Sequence, residues 1–166
     1  MKETMLCTGI NQIEDIYQRH VDTVYRVCFA YMKNVPDTED MVADTFYKLV
    51  KSGAKFESAE HEKAWLIRTA SNNCKNSLKH WWRKRSPIED AAHIPGEGSP
   101  QVDELLGLVI ALPDKYKTVV YLYYYEGHTG AEIAAILRKP QSTIRNCLHD
   151  ARKILRTKLG GITDEE

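Results

Sequence analysis

The chain has 166 residues, a length that suits one sizeable domain or two small ones. Its 23 Lys and Arg residues balance 23 Asp and Glu residues, and this zero net charge argues weakly against a nucleic-acid-binding protein unless the charges are segregated along the chain. No apolar run approaches the roughly 20 residues of a membrane span, and the four cysteines contain no CxxC pair, so membrane insertion and a zinc site are both unexpected.

The first predicted helix runs from about Asn11 to Lys33 and carries a wide apolar stripe at helical spacing. The residues before it lack the apolar core of a signal peptide, which together with the scattered cysteines indicates a reduced, cytoplasmic protein. Pro36 breaks this helix, and Asp37 caps the start of a second one whose first turn is acidic. Asp37, Asp40 and Asp44 then form an exposed acidic flank. This flank is either a solvated helix face or a docking surface for a basic partner.

A polar loop, residues 52–61, follows the second helix and contains one aromatic side chain, Phe56. A lone aromatic residue in a polar loop usually packs back into the core, but it can also form part of a pocket for a base or a partner. Both alternatives are open for Phe56 on the sequence alone.

The third predicted helix begins near Glu60 and carries six basic residues and no acid between Arg68 and Arg85. The residues that can face inward are Trp65, Leu66, Ala70, Cys74 and Leu78 or Trp81. Basic side chains follow a phosphate backbone, amides hydrogen-bond base edges, and aromatic rings stack on unpaired bases. The exposed candidates for DNA binding are Asn72, Asn76, Lys79 and Arg83. The alternative is an ordinary amphipathic helix with a solvated basic face.

A segment of different composition, residues 87–102, follows the third helix. It contains three prolines and two glycines, and it has acidic residues but no Lys or Arg. This composition predicts a flexible acidic linker between two helical modules, residues 1–86 and residues 103–166.

Two apolar helices are predicted at the start of the second module, one over VDELLGLVIAL and one over residues 114–125, with Pro113 between them. A short helix capped by Thr129 comes next. Residues 138–140 interrupt the pattern, and Ser142 is expected to cap a longer helix. The sequence therefore predicts an all-α protein whose second module is a small four-helix domain.

The last two helices have the order of a helix-turn-helix motif: a short helix, a tight turn and a longer basic helix. Between Arg138 and Lys158 there are seven Lys or Arg residues and one acid, Asp150. Phosphate neutralisation supplies much of the affinity of a DNA-binding helix, so this imbalance favours a DNA-reading role. The alternative is a helical hairpin in a globular core with a solvated basic face.

Taken together, these segments resemble the extracytoplasmic-function group of sigma factors, the bacterial initiation subunits that carry RNA polymerase to promoters. The resemblance covers about residues 13–159 and depends on the order and spacing of its segments. Those segments are DTEDMVADTFYKL, KFESAEHEKAWLIRTASNNCKNSL, LPDKYKTVVYLYYYEGHTGAEIAAIL and STIRNCLHDARKILR, with the acidic linker after the second. It implies that residues 1–86 form a module like sigma region two and residues 103–166 one like sigma region four.

In the first module, the resemblance implies that Asp37, Asp40 and Asp44 dock on the clamp helices of the polymerase's largest subunit. It assigns the loop with Phe56 to the pocket that captures a flipped base of the minus-ten promoter element. The helix residues matched to that element are Asn72 and Asn76.

In the second module, the resemblance implies that the recognition helix reads the minus-thirty-five element. The matched residues that face the bases are Arg145, Asn146 and His149. The further DNA-contact candidates are Ser142, Thr143, Arg152 and Lys153, of which the last two are expected to contact phosphate. The apolar surface of this module, including part of the tyrosine run, would hold the flap of the polymerase's second-largest subunit.

Several residues depart from the family pattern and bear on promoter sequence rather than on fold. Asn76 stands where an Asp is common, Arg138 replaces the usual Gly or Asn of the turn, and Cys147 is unusual on the recognition helix. Asp150 stands where an Arg is typical. An acid near phosphates is repelled, so Asp150 is expected either to point away from DNA or to accept from a cytosine amino group.

The leading hypothesis is a sigma factor that binds core RNA polymerase and promoter DNA and directs promoter-specific initiation. An anti-sigma factor is a further partner that membership of the family would imply. The alternative is a stand-alone helix-turn-helix regulator, which leaves the acidic second helix and the basic third helix unexplained. An enzyme is not expected, because the sequence has no nucleophile–base pairing, metal-ligand spacing or Gly-rich phosphate loop, and no cofactor is implied.

Overall fold

The computed structural model describes residues 2–82 and 103–158, and it describes side chains over residues 12–80 and 103–158. Every regular element within these ranges is helical, which confirms the predicted all-α class. The chain divides into two compact units, one within Met1–Ala91 and the other within Ala92–Glu166. The predicted linker, residues 87–102, lies outside the described residues, so its flexibility and the module boundaries stay predictions.

The first unit is built from three helices: α1 (Lys2–Met32), α2 (Val35–Ser52) and α3 (Ala59–Trp82). α1 starts earlier than the predicted Asn11, because no proline interrupts residues 2–11 and the backbone continues the same helix. Each helix packs against the other two, and large apolar side chains fill the space between them. The largest fully buried apolar side chains of this core are Val24, Phe29, Leu66 and Ile67.

Pro36 lies inside the first turn of α2, so the predicted start at Asp37 is wrong. Asn34 is the cap: its Oδ1 accepts from the Asp37 N–H at 2.9 Å, and its Nδ2 donates to Asp37 Oδ2 at 2.8 Å. Proline is tolerated in a first helical turn because its missing N–H would have no partner there in any case. α2 ends at Ser52, and the next residue, Gly53, has a left-handed φ of 62°, so the chain then turns toward α3.

The second unit contains α4 (Glu104–Ala111), α5 (Asp114–Val120), α6 (Gly130–Leu137) and α7 (Gln141–Lys158). These elements confirm the predicted four-helix module. Asp103 caps α4, because its Oδ1 accepts from the Leu106 N–H at 2.7 Å. The largest fully buried apolar side chains of this core are Tyr121, Leu106, Leu122, Ile133, Ile144, Val109 and Val120.

The single helix predicted over residues 114–125 is an α-helix only as far as the end of α5 and has a different hydrogen-bond pattern after it. Tyr121–Tyr125 form a wider, π-type turn that is closed by a hydrogen bond from the Glu126 N–H to the Tyr121 carbonyl at 3.2 Å. In this turn Tyr121 is buried and its ring stacks on Tyr125 at 4.8 Å, whereas Tyr124 is 43% exposed. The prediction of a continuous α-helix is therefore wrong for these five residues.

Candidate nucleic-acid interface

One face of α3 is polar and exposed, and the opposite face is buried in the first unit. Leu66, Ala70 and Cys74 are buried, as the apolar pattern predicts, whereas Trp65 and Leu78 are only half-buried. The candidates that the other face exposes are Asn72, Asn76 and Lys79. The two amides are four residues apart on the helix, so their hydrogen-bonding groups point in a similar direction. Arg83, the remaining candidate, lies outside the described residues.

The Phe56 side chain is half-buried and lies against the first two turns of α3. Its ring centroid is 5.3 Å from that of His61 and 5.8 Å from that of Trp65, and both contacts are edge-on. Phe56 therefore packs on other rings and keeps part of its own surface exposed, while its part in a pocket for a base or a partner stays a prediction.

Hydrogen bonds fix the loop to the first turn of α3. Ser58 caps the helix, because its Oγ accepts from the His61 N–H at 3.1 Å and its carbonyl accepts from the Glu62 N–H at 3.1 Å. The Glu57 N–H donates to His61 Nδ1 at 3.3 Å. The path of the loop next to Phe56 is thus set by the helix that carries the polar face.

A buried carboxylate ties the start of α3 to α1, and sequence reasoning missed it. Glu62 Oε1 lies 2.8 Å from Arg19 Nη2 and 2.8 Å from His20 Nε2. Glu62 and His20 are both buried, and an ionised carboxylate only accepts, so His20 Nε2 donates in this pair. In sequence, Glu62 looks like an ordinary acid in a first helical turn, where it would be placed for the helix dipole.

The acidic flank of α2 lies on one stripe of the helix, but only part of it has the exposure that the sequence predicts. Asp40 is exposed, whereas Asp37 and Asp44 are half-buried. Spacings of three and four residues place the three carboxylates in line. Two of these carboxylates have local partners. Asp37 Oδ2 accepts a hydrogen bond from Asn34 Nδ2, and Asp44 Oδ2 forms an ion pair with Lys48 Nζ at 3.8 Å.

Two exposed apolar side chains extend this acidic flank, and neither is among the candidates from sequence. Tyr47 is 61% exposed and Val50 is 54% exposed. The Lys51 ammonium lies 5.9 Å from the centroid of the Tyr47 ring. Exposed apolar side chains beside charged ones are typical of protein-docking surfaces. The signal that could have found Val50 is its position off the inward stripe of an amphipathic helix.

α6 and α7 form the predicted helix-turn-helix, and Thr129 caps α6 as predicted. Thr129 Oγ1 accepts from the Glu132 N–H at 3.2 Å, and the Thr129 N–H donates to Glu132 Oε1 at 3.2 Å, which completes a capping box. The hydrogen bond from the Thr129 backbone, with a smaller contribution from His128, lowers the pKa of the Glu132 carboxyl below its ordinary value.

The turn between these helices passes through Arg138, whose φ of 55° is left-handed. The Lys139 N–H donates to the Ala134 carbonyl at 3.0 Å, which closes the last turn of α6. A residue other than glycine costs roughly 1 kcal/mol in this conformation, so the arginine is held there by the packing of the two helices on either side.

α7 begins at Gln141, directly after Pro140. The Pro140 carbonyl accepts from the Ile144 N–H at 3.3 Å, which is the first hydrogen bond of the helix. Ser142 consequently lies within the first turn, and its predicted role as the cap is wrong. Pro140 ends the turn and directly precedes α7, since its missing N–H is not needed by the helix before it or by the helix after it.

α7 buries one face in the module core and exposes the other. Ile144, Leu148 and Ala151 are buried, as predicted, and Leu155 is half-buried. The candidates that point away from the core are Ser142, Arg145, Asn146, His149 and Lys153, all of them exposed. At 100° per residue these five fall within a sector of about 100°, so one surface can present them together.

Two other side chains lie at the edge of this sector. Thr143 and Asp150 are exposed, and helical spacing places both on the same flank. Asp150 therefore stands beside the group that contains Arg145 and His149, rather than within it. The two alternatives for Asp150, pointing away from DNA or accepting from a cytosine amino group, stay predictions.

Arg152 lies on the opposite flank and is engaged by the tyrosines of the π-type turn. Its Nε donates to the Tyr124 hydroxyl at 2.9 Å, and its guanidinium carbon is 5.5 Å from the centroid of the Tyr123 ring. The hydrogen bond to Tyr124 raises the pKa of Arg152 above its ordinary value. Lys153, by contrast, is exposed, so the two neighbouring cations have different surroundings.

The described residues contain no group of three or more His, Cys, Asp or Glu side chains able to hold a metal ion. In the same parts of the chain, no helix is both long and apolar enough to cross a membrane. Cys28 and Cys74 are buried, and Cys147 is half-buried with its Sγ 3.8 Å from the Lys115 carbonyl oxygen.

Two family models match this chain, in the same order as its two units. Sigma-70 region 2 matches residues 16–85, and Sigma-70 region 4 matches residues 103–155. Together they cover most of the chain, and each includes one of the helices with an exposed polar face.

Relatives of known role are similar to the chain over most of its length. It is 27% identical to the ECF RNA polymerase sigma factor SigW of Bacillus subtilis, over 89% of this chain and 87% of that protein. It is 28% identical to the RNA polymerase sigma factor SigV of the same organism, over 84% of this chain and 86% of SigV.

A solved structure shares the fold. The sigma factor RpoE, determined in complex with the anti-sigma factor NepR from Bartonella quintana, matches 92% of this chain and 99% of its own with a TM-score of 0.65. The sequences are 20% identical, so this likeness concerns the fold alone.

Proposed function

The chain belongs to the sigma-70 family, in its extracytoplasmic-function group, and we propose how its two modules divide the work of a sigma factor. As a member of that family it directs promoter-specific transcription initiation by RNA polymerase and is not a stand-alone helix-turn-helix regulator. In our proposal residues 1–86 dock on core polymerase and hold the minus-ten element, and residues 103–166 bind the minus-thirty-five element. The observation that carries the proposal is that α3 and α7 each bury one face and expose a polar one.

We propose that the minus-ten element lies along α3. The exposed amides of Asn72 and Asn76 can hydrogen-bond base edges, and Lys79 offers a charge for phosphate. The open part of the Phe56 ring would stack on an unpaired base, with His61 and Trp65 supporting it from behind. Arg83 extends the same set of candidates on the basis of sequence.

We assign polymerase docking to the flank of α2 that carries Asp37, Asp40 and Asp44. Tyr47 and Val50 would add apolar contact area to these charges, and this combination gives an interface both affinity and orientation. Clamp helices of the polymerase's largest subunit are the partner that family membership suggests for this surface.

We assign recognition of the minus-thirty-five element to the exposed sector of α7. Arg145, Asn146 and His149 are the proposed base contacts, because long polar side chains there reach the edges of a major groove. Ser142, Thr143 and Lys153 are proposed phosphate contacts. Arg152 is a further proposed phosphate contact, because its Nε–H donates to Tyr124 and its guanidinium has other N–H donors.

Further properties are proposed from membership of the family and from its structural neighbour. The chain is proposed to have no catalytic step and no cofactor of its own, since the polymerase performs the chemistry. It would act in the cytoplasm, where core polymerase and promoters are found. Because the structure of its neighbour RpoE was determined with an anti-sigma factor, we propose that this chain also binds a partner of that class. We further propose that the apolar surface of residues 103–166 binds the flap of the polymerase's second-largest subunit.

Run-off transcription with purified core polymerase and a library of promoters tests this proposal. We expect the isolated protein to bind duplex promoter DNA weakly, and the holoenzyme to bind a subset of promoters tightly and transcribe them. Tight, sequence-specific binding by the protein without polymerase would contradict the proposed division of work. The matched control is core polymerase alone on the same library.

A further inference from the structure

A buried amide joins the acidic helix α2 to the polar helix α3. Asn73 is 5% exposed, although its neighbour Asn72 is on the surface. Its Nδ2 donates to Thr45 Oγ1 at 3.3 Å, and its Oδ1 accepts from Lys48 Nζ. Both ends of the amide are therefore satisfied by side chains of α2.

The hydrogen bonds give this amide one orientation. The Thr45 hydroxyl is fully buried and donates to the Met41 carbonyl at 2.7 Å, so only its lone pairs face Asn73. The Lys48 ammonium can only donate. An amide turned by half a rotation would set its NH₂ group against that ammonium and its oxygen against an acceptor, so the observed orientation is strongly favoured.

Lys48 also faces the proposed docking flank. Its Nζ lies 3.8 Å from Asp44 Oδ2, so one ammonium stands between an acid proposed to meet polymerase and the amide that fixes α3. The side chains of Lys48 and Asp44 are 48% and 43% exposed, and an ion pair in such a position contributes little by itself. The bond to the buried amide is the stronger constraint, because a buried polar group that loses its partner is destabilised.

We propose that Lys48 and Asn73 are positioning residues that set the register of α3 against α2 and thereby place Asn72 and Asn76 against the promoter. This inference rests on the proposed function. Apolar contacts between helices are not directional, whereas a hydrogen bond weakens steeply once its donor and acceptor move apart. When polymerase binds the acidic flank of α2, the hydrogen bonds of this amide therefore fix the position of the DNA-facing side of α3 as well.

Two substitutions with different burial test the proposal in full-length protein. Lys48→Met removes the ammonium at the surface, and Asn73→Leu replaces the buried amide with an apolar side chain of similar size. Lys48→Gln keeps a donor for Asn73 without the charge. Lys51→Met is the matched control, because it removes the same charge from α2 without touching the amide.

Each variant is assembled with core polymerase on a promoter that the wild-type holoenzyme selects from a random library. The measurements are core affinity, thermal unfolding, and open complexes by permanganate footprinting at saturating sigma factor. We expect Lys48→Met and Asn73→Leu to form about tenfold fewer open complexes on linear DNA, the effect of one lost hydrogen bond to a charged group. Lys48→Gln should keep most of the activity. Lys51 lies against Tyr47 of the proposed docking surface, so Lys51→Met is compared at saturating sigma factor, where it should form as many open complexes as wild type.

Three outcomes would overturn the proposal. A loss of core affinity in Lys48→Met as large as in Asp44→Asn would make Lys48 part of the docking surface. Wild-type levels of open complex in both Lys48→Met and Asn73→Leu would make the amide a packing element only, whatever their melting temperatures. A wild-type protein that opens no promoter with core polymerase would overturn the proposed function itself, and this result is distinguishable because it precedes any variant.

Discussion

Phe56→Ala is expected to reduce the formation of open promoter complexes while leaving the binding to core polymerase intact. The ring is half-buried and makes edge contacts to His61 and Trp65. Each such contact contributes roughly 0.5–1.5 kcal/mol, and full burial of a phenylalanine contributes more, so this substitution should cost the fold only about 1–3 kcal/mol. The first module should therefore stay folded at the temperature of the assay.

The effect on promoter opening follows from the stacking that the ring would provide. An unpaired base held on an aromatic ring gains roughly 1–3 kcal/mol, which corresponds to about a 5- to 150-fold change in the balance between closed and open complexes. A template with a pre-melted bubble already has its bases unstacked. On that template Phe56→Ala should recover most of the transcription of the wild-type protein.

Permanganate footprinting and run-off transcription on linear and bubble templates measure this difference. Phe56→Tyr is the matched control, because it keeps an aromatic ring at the same position and should behave like wild type. Equal loss on both templates, together with lost core binding, would show that Phe56 only supports the fold. Normal opening of the linear promoter by Phe56→Ala would show that the ring does not hold a base.

Four further predictions concern single side chains. Arg145→Ala should relax the base preference at one or two base pairs of the minus-thirty-five element by roughly 1–3 kcal/mol, and selection of an unchanged upstream sequence would contradict this assignment. Lys153→Ala should instead weaken binding to all DNA sequences alike and lower the salt dependence of binding, the slope of log affinity against log salt, by about 1. Arg138→Gly should raise the free energy of unfolding of the second module by about 0.5–1 kcal/mol, because glycine adopts the left-handed turn without strain, and a drop in melting temperature would refute this. The Glu132 carboxylate stabilises the second module because its pKa is lowered on folding; this stabilisation is present above the ordinary pKa of 4.5 and is lost as the pH falls through the lower folded pKa. The melting temperatures of wild type and Glu132→Gln should therefore become equal in acid. A difference in melting temperature that stays constant across this pH range would contradict the prediction. Glu62→Ala should destabilise the first module by about 1–3 kcal/mol, since it leaves the buried His20 ring without its hydrogen-bond partner and the exposed Arg19 guanidinium without its carboxylate, and an unchanged denaturation midpoint would exclude that role.

Much of the architecture follows from periodicity, because burial of a helix depends on which residues recur every three to four positions. Leu66, Ala70 and Cys74 were predicted to face inward and are buried. The same pattern identified Ile144 and Leu148 as the inward face of α7 and left the opposite side polar.

Helix starts were predicted less well, and the reason is local. Asp37 and Ser142 are both good capping residues, yet Asn34 and Pro140 precede the helices in the structure. A cap is the residue whose backbone leaves the helix, and several neighbouring residues have side chains that could serve. Proline is compatible with the first turn as well as with the break before it, so Pro36 did not settle the boundary.

The sequence by itself determined the helices, the order of the two modules and the polar faces, because these depend on residues close together in the chain. Only the tertiary structure decided which polar residues are partners. Asn73 looks like Asn72 in sequence, yet Thr45 and Lys48 of another helix hold it in the interior. Arg152 looks like Lys153 until the π-type turn brings Tyr124 to it. Such hydrogen bonds join residues that are 25 to 28 positions apart in the chain. The two side chains come within reach of each other only after the helices have packed.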